Sequence, residues 1–357
     1  MLSVSRLRGV SLSIAKTKKV ENGSVGLNCE LAISVVIPMG IMELSDPKVI
    51  PIDEKFNLGS DLYSSYQWPY VNTLDLVSVD ALLRVSKSSL GDFKWCAQQY
   101  FIKRVLGVKE EETDNMTRGT NVHDCMEEFY NEFDVDAAIE AKKEGHGTLV
   151  DFFQDLVPEN TIKGEEFGLD EDEHLEKLIN VEAARFMEAD PEHFLPVGNE
   201  IELHAIVEME GIKVHLNGFI DRLFQDDKGL LHVHELKTGK WKETKFKYEG
   251  MREELAFYAY LIKHCKDPVI GGKDVAFWGW DHTGGESIFR FFEPIRVREV
   301  ASMLDALRNL VKAHKKYAGG HDGSAFPELP KYRIKRTCEP WCKVKGFCPH
   351  YDRVLMP

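Results

Sequence analysis

The chain has 357 residues, of which 43% are hydrophobic and 29% charged. That composition supplies a sizeable core and excludes wholesale disorder, and no run of about 18 apolar residues exists to span a membrane. The 59 acidic residues outnumber the 45 basic ones, giving a formal net charge of −14, so any binding of nucleic acid must rest on local basic patches or metal ions.

In chain order, the first twenty residues carry Arg6, Arg8, Lys16, Lys18 and Lys19 and no acid, as a mitochondrial leader would. The alternation of Val10, Leu12 and Ile14, and of Val25, Leu27, Cys29, Leu31, Ile33 and Val35, about the turn dipeptide Asn22-Gly23 predicts an N-terminal β-hairpin instead. Pro38, Pro47, Pro51 and Pro69 make the next stretch an irregular arm, so residues 1–80 are set apart from a main domain over 81–357. A helix is predicted from Ser89, with Ser89 and Asp92 as a capping box and Leu90, Phe93, Ala97, Tyr100 and Phe101 on its apolar face. Thr120 is predicted to cap a second helix whose apolar face is Val122, Met126, Phe129, Tyr130 and Phe133, with His123 in the first turn. Residues 134–195 are acid-rich and predicted mostly helical.

The periodicity then changes to two. Strands are predicted at 200–209, 212–224 and 230–237, a helix at about 250–265, strands at 273–280 and 287–293, and a last helix at about 296–317. This is an α/β layout with a mixed central sheet flanked by helices. No Walker A phosphate loop is present, which argues against an ATP-driven motor.

The most informative residues are Gly218-Phe219-Ile220-Asp221-Arg222 and Glu235-Leu236-Lys237-Thr238-Gly239. Residues two apart on a strand share a face, so Glu235 and Lys237 point the same way, and an antiparallel neighbour can bring Asp221 beside them. Two carboxylates and an ammonium suit Mg²⁺ or Mn²⁺ chemistry: hard oxygen ligands, a metal-activated water, and a lysine to orient it. A surface salt bridge is the alternative reading of Glu235 and Lys237 alone.

Four segments in order resemble the RecB-like branch of the PD-(D/E)XK nucleases: Gly119-Thr120-Asn121-Val122-His123, Gly218 to Arg222, Glu235 to Gly239, and Glu254-Leu255-Ala256-Phe257-Tyr258-Ala259. The resemblance covers about residues 85–357 and implies a restriction-endonuclease-like core with a helical insertion at about 134–195. It implies metal ligation by His123, Asp221, Glu235 and the Leu236 carbonyl, with Asp221, Glu235 and Lys237 catalytic and Tyr258 contacting DNA or supporting the site. Glu254 departs from the pattern, which usually has Gln there; a carboxylate would repel phosphate unless paired or metal-bound.

Seven cysteines, an odd and mostly scattered number, point to a reducing compartment and a metal or cluster site. Cys338, Cys342 and Cys348 form C-x3-C-x5-C, and thiolates so arranged suit zinc or an iron–sulfur cluster. Ser88 to Cys96 resembles the element that opens the iron–sulfur members of the same branch: AddB-type nucleases, exonuclease V and CRISPR-associated RecB-like nucleases. That resemblance implies a [4Fe–4S] cluster held by Cys96, Cys338, Cys342 and Cys348, clasping an early helix to the C-terminus. The usual spacing is C-x2-C-x5-C, one residue shorter than here.

Lys240, Lys242, Lys245 and Lys247 interleave with Trp241, Phe246 and Tyr248, and Arg333 and Arg336 precede the cysteines; both clusters are candidate DNA contacts. The expectation is a Mg²⁺- or Mn²⁺-dependent DNA exonuclease acting on single-stranded ends in repair, recombination or phage genome processing. Its setting would be cytoplasmic, in a bacterial, archaeal or phage-infected cell, with a helicase or recombination partner. The alternatives are a non-catalytic DNA-binding subunit and a cluster-free mitochondrial exonuclease.

Overall fold

The computed structural model describes residues 48–49, 82–110, 113–157, 168–318, 323–348 and 350–351. The predicted hairpin, most of the arm and Cys29 lie outside these residues. Seven strands form one mixed sheet: β1 (Lys48–Val49), β2 (Leu82–Ser86), β3 (Gly198–Met209), β4 (Ile212–Gln225), β5 (Leu231–Lys237), β6 (Val275–His282) and β7 (Phe289–Pro294). β3 and β4 form a long antiparallel hairpin, turned by Glu210 and Gly211, both at positive φ (54° and 75°). That pair of left-handed residues matches the twist of the two strands.

The other edge of β4 is shared. β2 pairs in parallel with Lys213–Asn217, and β5 pairs antiparallel with Arg222–Gln225. β5 pairs in parallel with β6, which requires a crossover, and β7 closes that side antiparallel. The three central strands and β6 and β7 lie where the alternation places them. β2 was not predicted, because Leu82–Ser86 is too short for a period-two pattern to stand out.

Helices α1 (Lys87–Trp95) and α2 (Ala97–Tyr100) are separated by Cys96, whose backbone is extended (φ −161°). α1 starts earlier than predicted: Ser86 is the N-cap, and its capping-box partner is Ser89 instead of the expected Ser89–Asp92 pair. Asp92 instead binds Lys103 and Arg104. α3 (Asp114–Asn131) also starts early, at Thr113, so Thr120 is no cap and His123 lies in the third turn. Gly119 sits inside this helix at a cost of about 1 kcal/mol relative to Ala. A Cβ there would stand 3.4 Å from Thr238 Oγ1, so α3 packs beside the loop after β5 at about contact distance.

The acid-rich stretch contains α4 (Val135–Glu144), α5 (His146–Asp155) and α6 (Gly168–Glu188). With α3 they form their own core around Phe129, Phe133, Phe153, Phe186 and Phe194, joined to the sheet through Leu236. The larger core lies between the sheet, α1, α7 (Lys245–His264) and α8 (Val297–Ala318). α7 begins about five residues before its predicted start, capped by the Thr244 side chain. α9 (Lys331–Trp341), not predicted, carries Cys338. The described C-terminal segment is anchored by buried Phe326, Ile334 and Val344; Phe326 stacks on Phe101 at 5.0 Å, and the Gln98 side chain donates to Gly323 O at 2.8 Å.

Candidate active site

Strand register builds the site. Pairing of Asn199 with Arg222 and Ile201 with Ile220 sets Glu200 opposite Asp221. Pairing of Arg222 with His234, continued by one residue, brings Asp221 level with Glu235. Three neighbouring strands thus carry carboxylates at one level, an arrangement that like-charge repulsion disfavours unless cations are supplied. The Asp221 carboxylate accepts the Leu236 N–H at 2.6 Å, where the β4–β5 ladder ends. Glu200 is in the left-handed region (φ 46°), a costly conformation for a residue with a side chain.

From α3, His123 reaches this row. Its Nδ1 lies 2.8 Å from Glu200 Oε1 and 3.8 Å from Asp221 Oδ1, and its Nε2 lies 3.1 Å from the Leu236 carbonyl oxygen. Ligand atoms of His123, Glu200 and Asp221 all fall within 4.8 Å of one another. Sequence reasoning missed Glu200, whose neighbours Asn199 and Glu202 give it no motif; its signal is the register opposite Asp221. The Glu235 carboxylate is buried, accepts from Lys237 Nζ at 2.6 Å on Oε2, and faces Lys87 Nζ at 3.5 Å on Oε1.

The electrostatics follow from this crowding. Burial and then the Glu235 charge raise the Asp221 pKa. Glu235 is also desolvated, but Lys237 and Lys87 outweigh the burial and pull its pKa well below the carboxylate range. Burial would lower the His123 pKa, but its hydrogen bond to the Glu200 carboxylate and the Asp221 charge overcome it and raise it. Lys237 is likewise raised, burial being overcome by Glu235, Glu254 and Asp221. Excess negative charge, held by the ladder and partly answered by protons and lysines, is the site's defining property.

The remaining candidates divide. Tyr258 is buried (2% exposed) with Gly218 against its ring and Lys87 above it at 5.3 Å, so it walls the site and offers no face to DNA. Burial and the charges of Glu235, Asp221 and Glu254 raise its pKa well above the usual phenol value. Glu254 is paired, at 3.4 Å from Lys87 and 3.5 Å from Lys237. Lys240, Lys242, Lys245 and Lys247 are exposed, as is Phe246, whereas Trp241 is stacked on Phe289 at 4.6 Å and is not free to take a base. Arg333 and Arg336 are exposed on α9.

Cys96, Cys338 and Cys342 are buried and Cys348 half-buried. Burial pushes the Cys338 thiol up to about 11, and the nearness of Cys342, Cys96 and Cys348 adds to the effect. Cys342 is raised too, by burial and by Cys96 and Cys348. The four thiols therefore share one neighbourhood although Cys96 is far away in sequence. Cys125 is buried on α3, and Cys265 is buried at the end of α7.

With this geometry in hand, comparison with known proteins gives a class. The PD-(D/E)XK nuclease superfamily matches residues 84–349, and the chain belongs to that superfamily. Similar solved structures include SSO0001 (11% identity, TM-score 0.35, covering 78% of this chain and 93% of that one). Others are a candidate exonuclease from Eubacterium rectale (12%, 0.39, 71% and 86%) and Rai1 of Scheffersomyces stipitis, solved with (3′-NADP)⁺ and a calcium ion (10%, 0.26, 77% and 74%). Likeness at this level carries no functional conclusion. No curated protein matches the chain. Among the described residues no helix is long and apolar enough to cross a membrane.

Proposed function

We propose that the chain is a Mg²⁺- or Mn²⁺-dependent DNA exonuclease of the RecB-like iron–sulfur branch, hydrolysing phosphodiester bonds at single-stranded ends. The row Glu200–Asp221–Glu235 with Lys237 beside it carries the proposal. The donor set fits a hard divalent ion, since oxygens predominate and the site holds more negative charge than its cations neutralise. Asp221, Glu200, Glu235, His123 and the Leu236 carbonyl would hold that ion. Bound there, it would polarise the phosphate and lower the pKa of a water. The chain's own residues do the rest. Lys237, released from Glu235, donates to the attacking water or to the charge developing on the phosphate. His123 would offer a ring nitrogen to that ion in place of its contact with Glu200. Tyr258, buried under Lys87, closes that side of the site against bulk water. Lys240, Lys242, Lys245 and Lys247 would track the strand's phosphates and the exposed Phe246 would stack on a base.

The shared neighbourhood of Cys96, Cys338, Cys342 and Cys348 supports a [4Fe–4S] clasp. The nuclease domain is then residues 81–357 with the short strand Lys48–Val49 added at its sheet edge, and repair, recombination or phage genome processing beside a helicase is the fitting setting. The test is an anaerobic preparation assayed on 5′- and 3′-labelled single-stranded and duplex DNA with Mg²⁺, Mn²⁺ or EDTA. Stepwise shortening of single strands, abolished by EDTA, is expected. DNA binding without cleavage in either metal would leave a binding subunit.

A further inference from the structure

Glu254 and Lys87 are two charges that the general active-site pattern does not call for, and the structure places them against each other. Lys87 is the first residue of α1, directly after the strand β2 that lines the edge of β4. Its ammonium lies 3.5 Å from Glu235 Oε1 and 3.4 Å from Glu254 Oε2. Glu235 Oε1 is buried and takes no hydrogen bond from a lysine; its cation is Lys87 at 3.5 Å, while the Tyr258 hydroxyl also bonds to this carboxylate. Lys237 already occupies the other oxygen. Lys87 is only partly screened, its side chain 19% exposed, and the underlying Tyr258 ring holds it over the site.

We propose that Lys87 is a second active-site lysine, charge-compensated by Glu254, which guards Glu235 Oε1 until a divalent cation takes that oxygen and then turns to the DNA phosphate. The proposal rests on the metal-dependent reading above. Its physical logic is exchange. An unliganded Glu235 in a buried site needs cations close by, and two lysines supply them. A divalent ion competes with both for the same carboxylate. The freed ammonium would overload the site with positive charge were Glu254 neutral; as a carboxylate it holds Lys87 within reach and moderates the repulsion. Glu254, which alone would repel phosphate, thereby has a use: it keeps a mobile cation at the mouth of the site. Lys87 acts on the cation through Glu235 and is in that respect a positioning residue.

The experiment measures Mn²⁺ affinity by electron paramagnetic resonance and oligonucleotide affinity in Ca²⁺ for the full chain and its variants. Lys87→Met should tighten Mn²⁺ binding about fivefold to tenfold and Glu254→Gln should weaken it comparably, since each alters one charge a few ångströms from the ion. The double variant should return close to the wild type, and Lys87→Arg should resemble it. Lys87→Met should also weaken oligonucleotide binding in Ca²⁺ severalfold and raise KM more than it lowers kcat. If Lys87→Met fails to fold, Glu254→Gln alone decides, because that side chain is 37% exposed and its loss is tolerable. Mn²⁺ affinity unchanged in either single variant, or lowered alike in both, overturns the exchange while leaving the metal site standing. A wild-type protein that binds no Mn²⁺ overturns the metal site and the exchange together.

Discussion

Two buried charge clusters sit side by side in this protein, and they are built to opposite ends. One joins Glu182 of α6, Arg222 of β4, Asp281 of β6 and Arg290 of β7. Arg290 holds Asp281 with two contacts of 2.7 and 2.8 Å, Arg222 lies 3.3 Å from Asp281 and 3.7 Å from Glu182, and Arg185 adds 2.7 Å to Glu182. Every carboxylate there faces at least two guanidiniums, and Glu182 is pulled to about 2 against the burial that would raise it. The other cluster, beginning one residue away at Asp221, has carboxylates from Glu200, Asp221, Glu235 and Glu254 against Lys87, Lys237 and a histidine. Asp221 is raised where Glu182 is lowered. Adjacent residues of one strand thus serve a saturated brace, which fastens the helical insertion to the sheet, and an unsaturated site, which has room for an added cation.

If that contrast is right, substitutions should separate cleanly. Asp221→Asn, Glu235→Gln and Lys237→Met should each cut cleavage by about a hundredfold or more, because each removes a group that positions the ion or the water, while the fold persists. End-labelled substrate in single turnover measures this, and near-normal turnover in any of the three would locate the chemistry elsewhere. Glu182→Gln should do the reverse. Removing one partner of a buried ion cluster strands the arginines, at about 3–5 kcal/mol, so urea unfolding should show a large loss of stability. A loss below about 1 kcal/mol would mean that Glu182 is not part of a brace.

The proposed cysteine clasp should give a smaller, more local effect. Cys96→Ala should lower iron content and make the segment after residue 323 easier to cleave by protease, with the Asp221 site unaltered. Full iron occupancy in that variant would exclude Cys96 as a ligand. The smallest effect concerns pH in the core outside both clusters. Burial lowers the His314 pKa to about 4, and its Nε2 is 2.8 Å from Tyr100 Oη. The unfolded chain takes up this proton near pH 6.5 and the folded chain does not, so the contribution is complete above about 6.5 and declines as pH falls towards 4. Denaturation midpoints should fall over that window, and less so in His314→Gln; an unchanged slope would show that another group titrates.

The site's strands are legible in the sequence because β3, β4 and β5 carry enough period-two alternation and are joined by short turns, which aligns Asp221, Glu235 and Lys237. It did not reveal Glu200, Lys87 or the brace. Those partners come from separate elements: Lys87 lies about 150 residues before Glu235, and Glu182, Arg222, Asp281 and Arg290 belong to three strands and a helix. No local periodicity encodes such meetings. Helix starts were misplaced for a related reason. Ser89 and Thr120 imitate caps, but tertiary packing carried α1 and α3 through them, and α7 starts at the Thr244 cap ahead of the stretch where its pattern shows.

The central claim, that the Asp221 cluster is unsaturated and the Glu182 cluster saturated, is tested most directly by titrating Mn²⁺ into the wild type, Asp221→Asn and Glu182→Gln while following both binding and thermal unfolding. The account predicts that Mn²⁺ binds the wild type and raises its Tm, that Asp221→Asn loses both responses while folding normally, and that Glu182→Gln, although less stable, still binds and is still stabilised. Equal Mn²⁺ binding in Asp221→Asn and the wild type would contradict it.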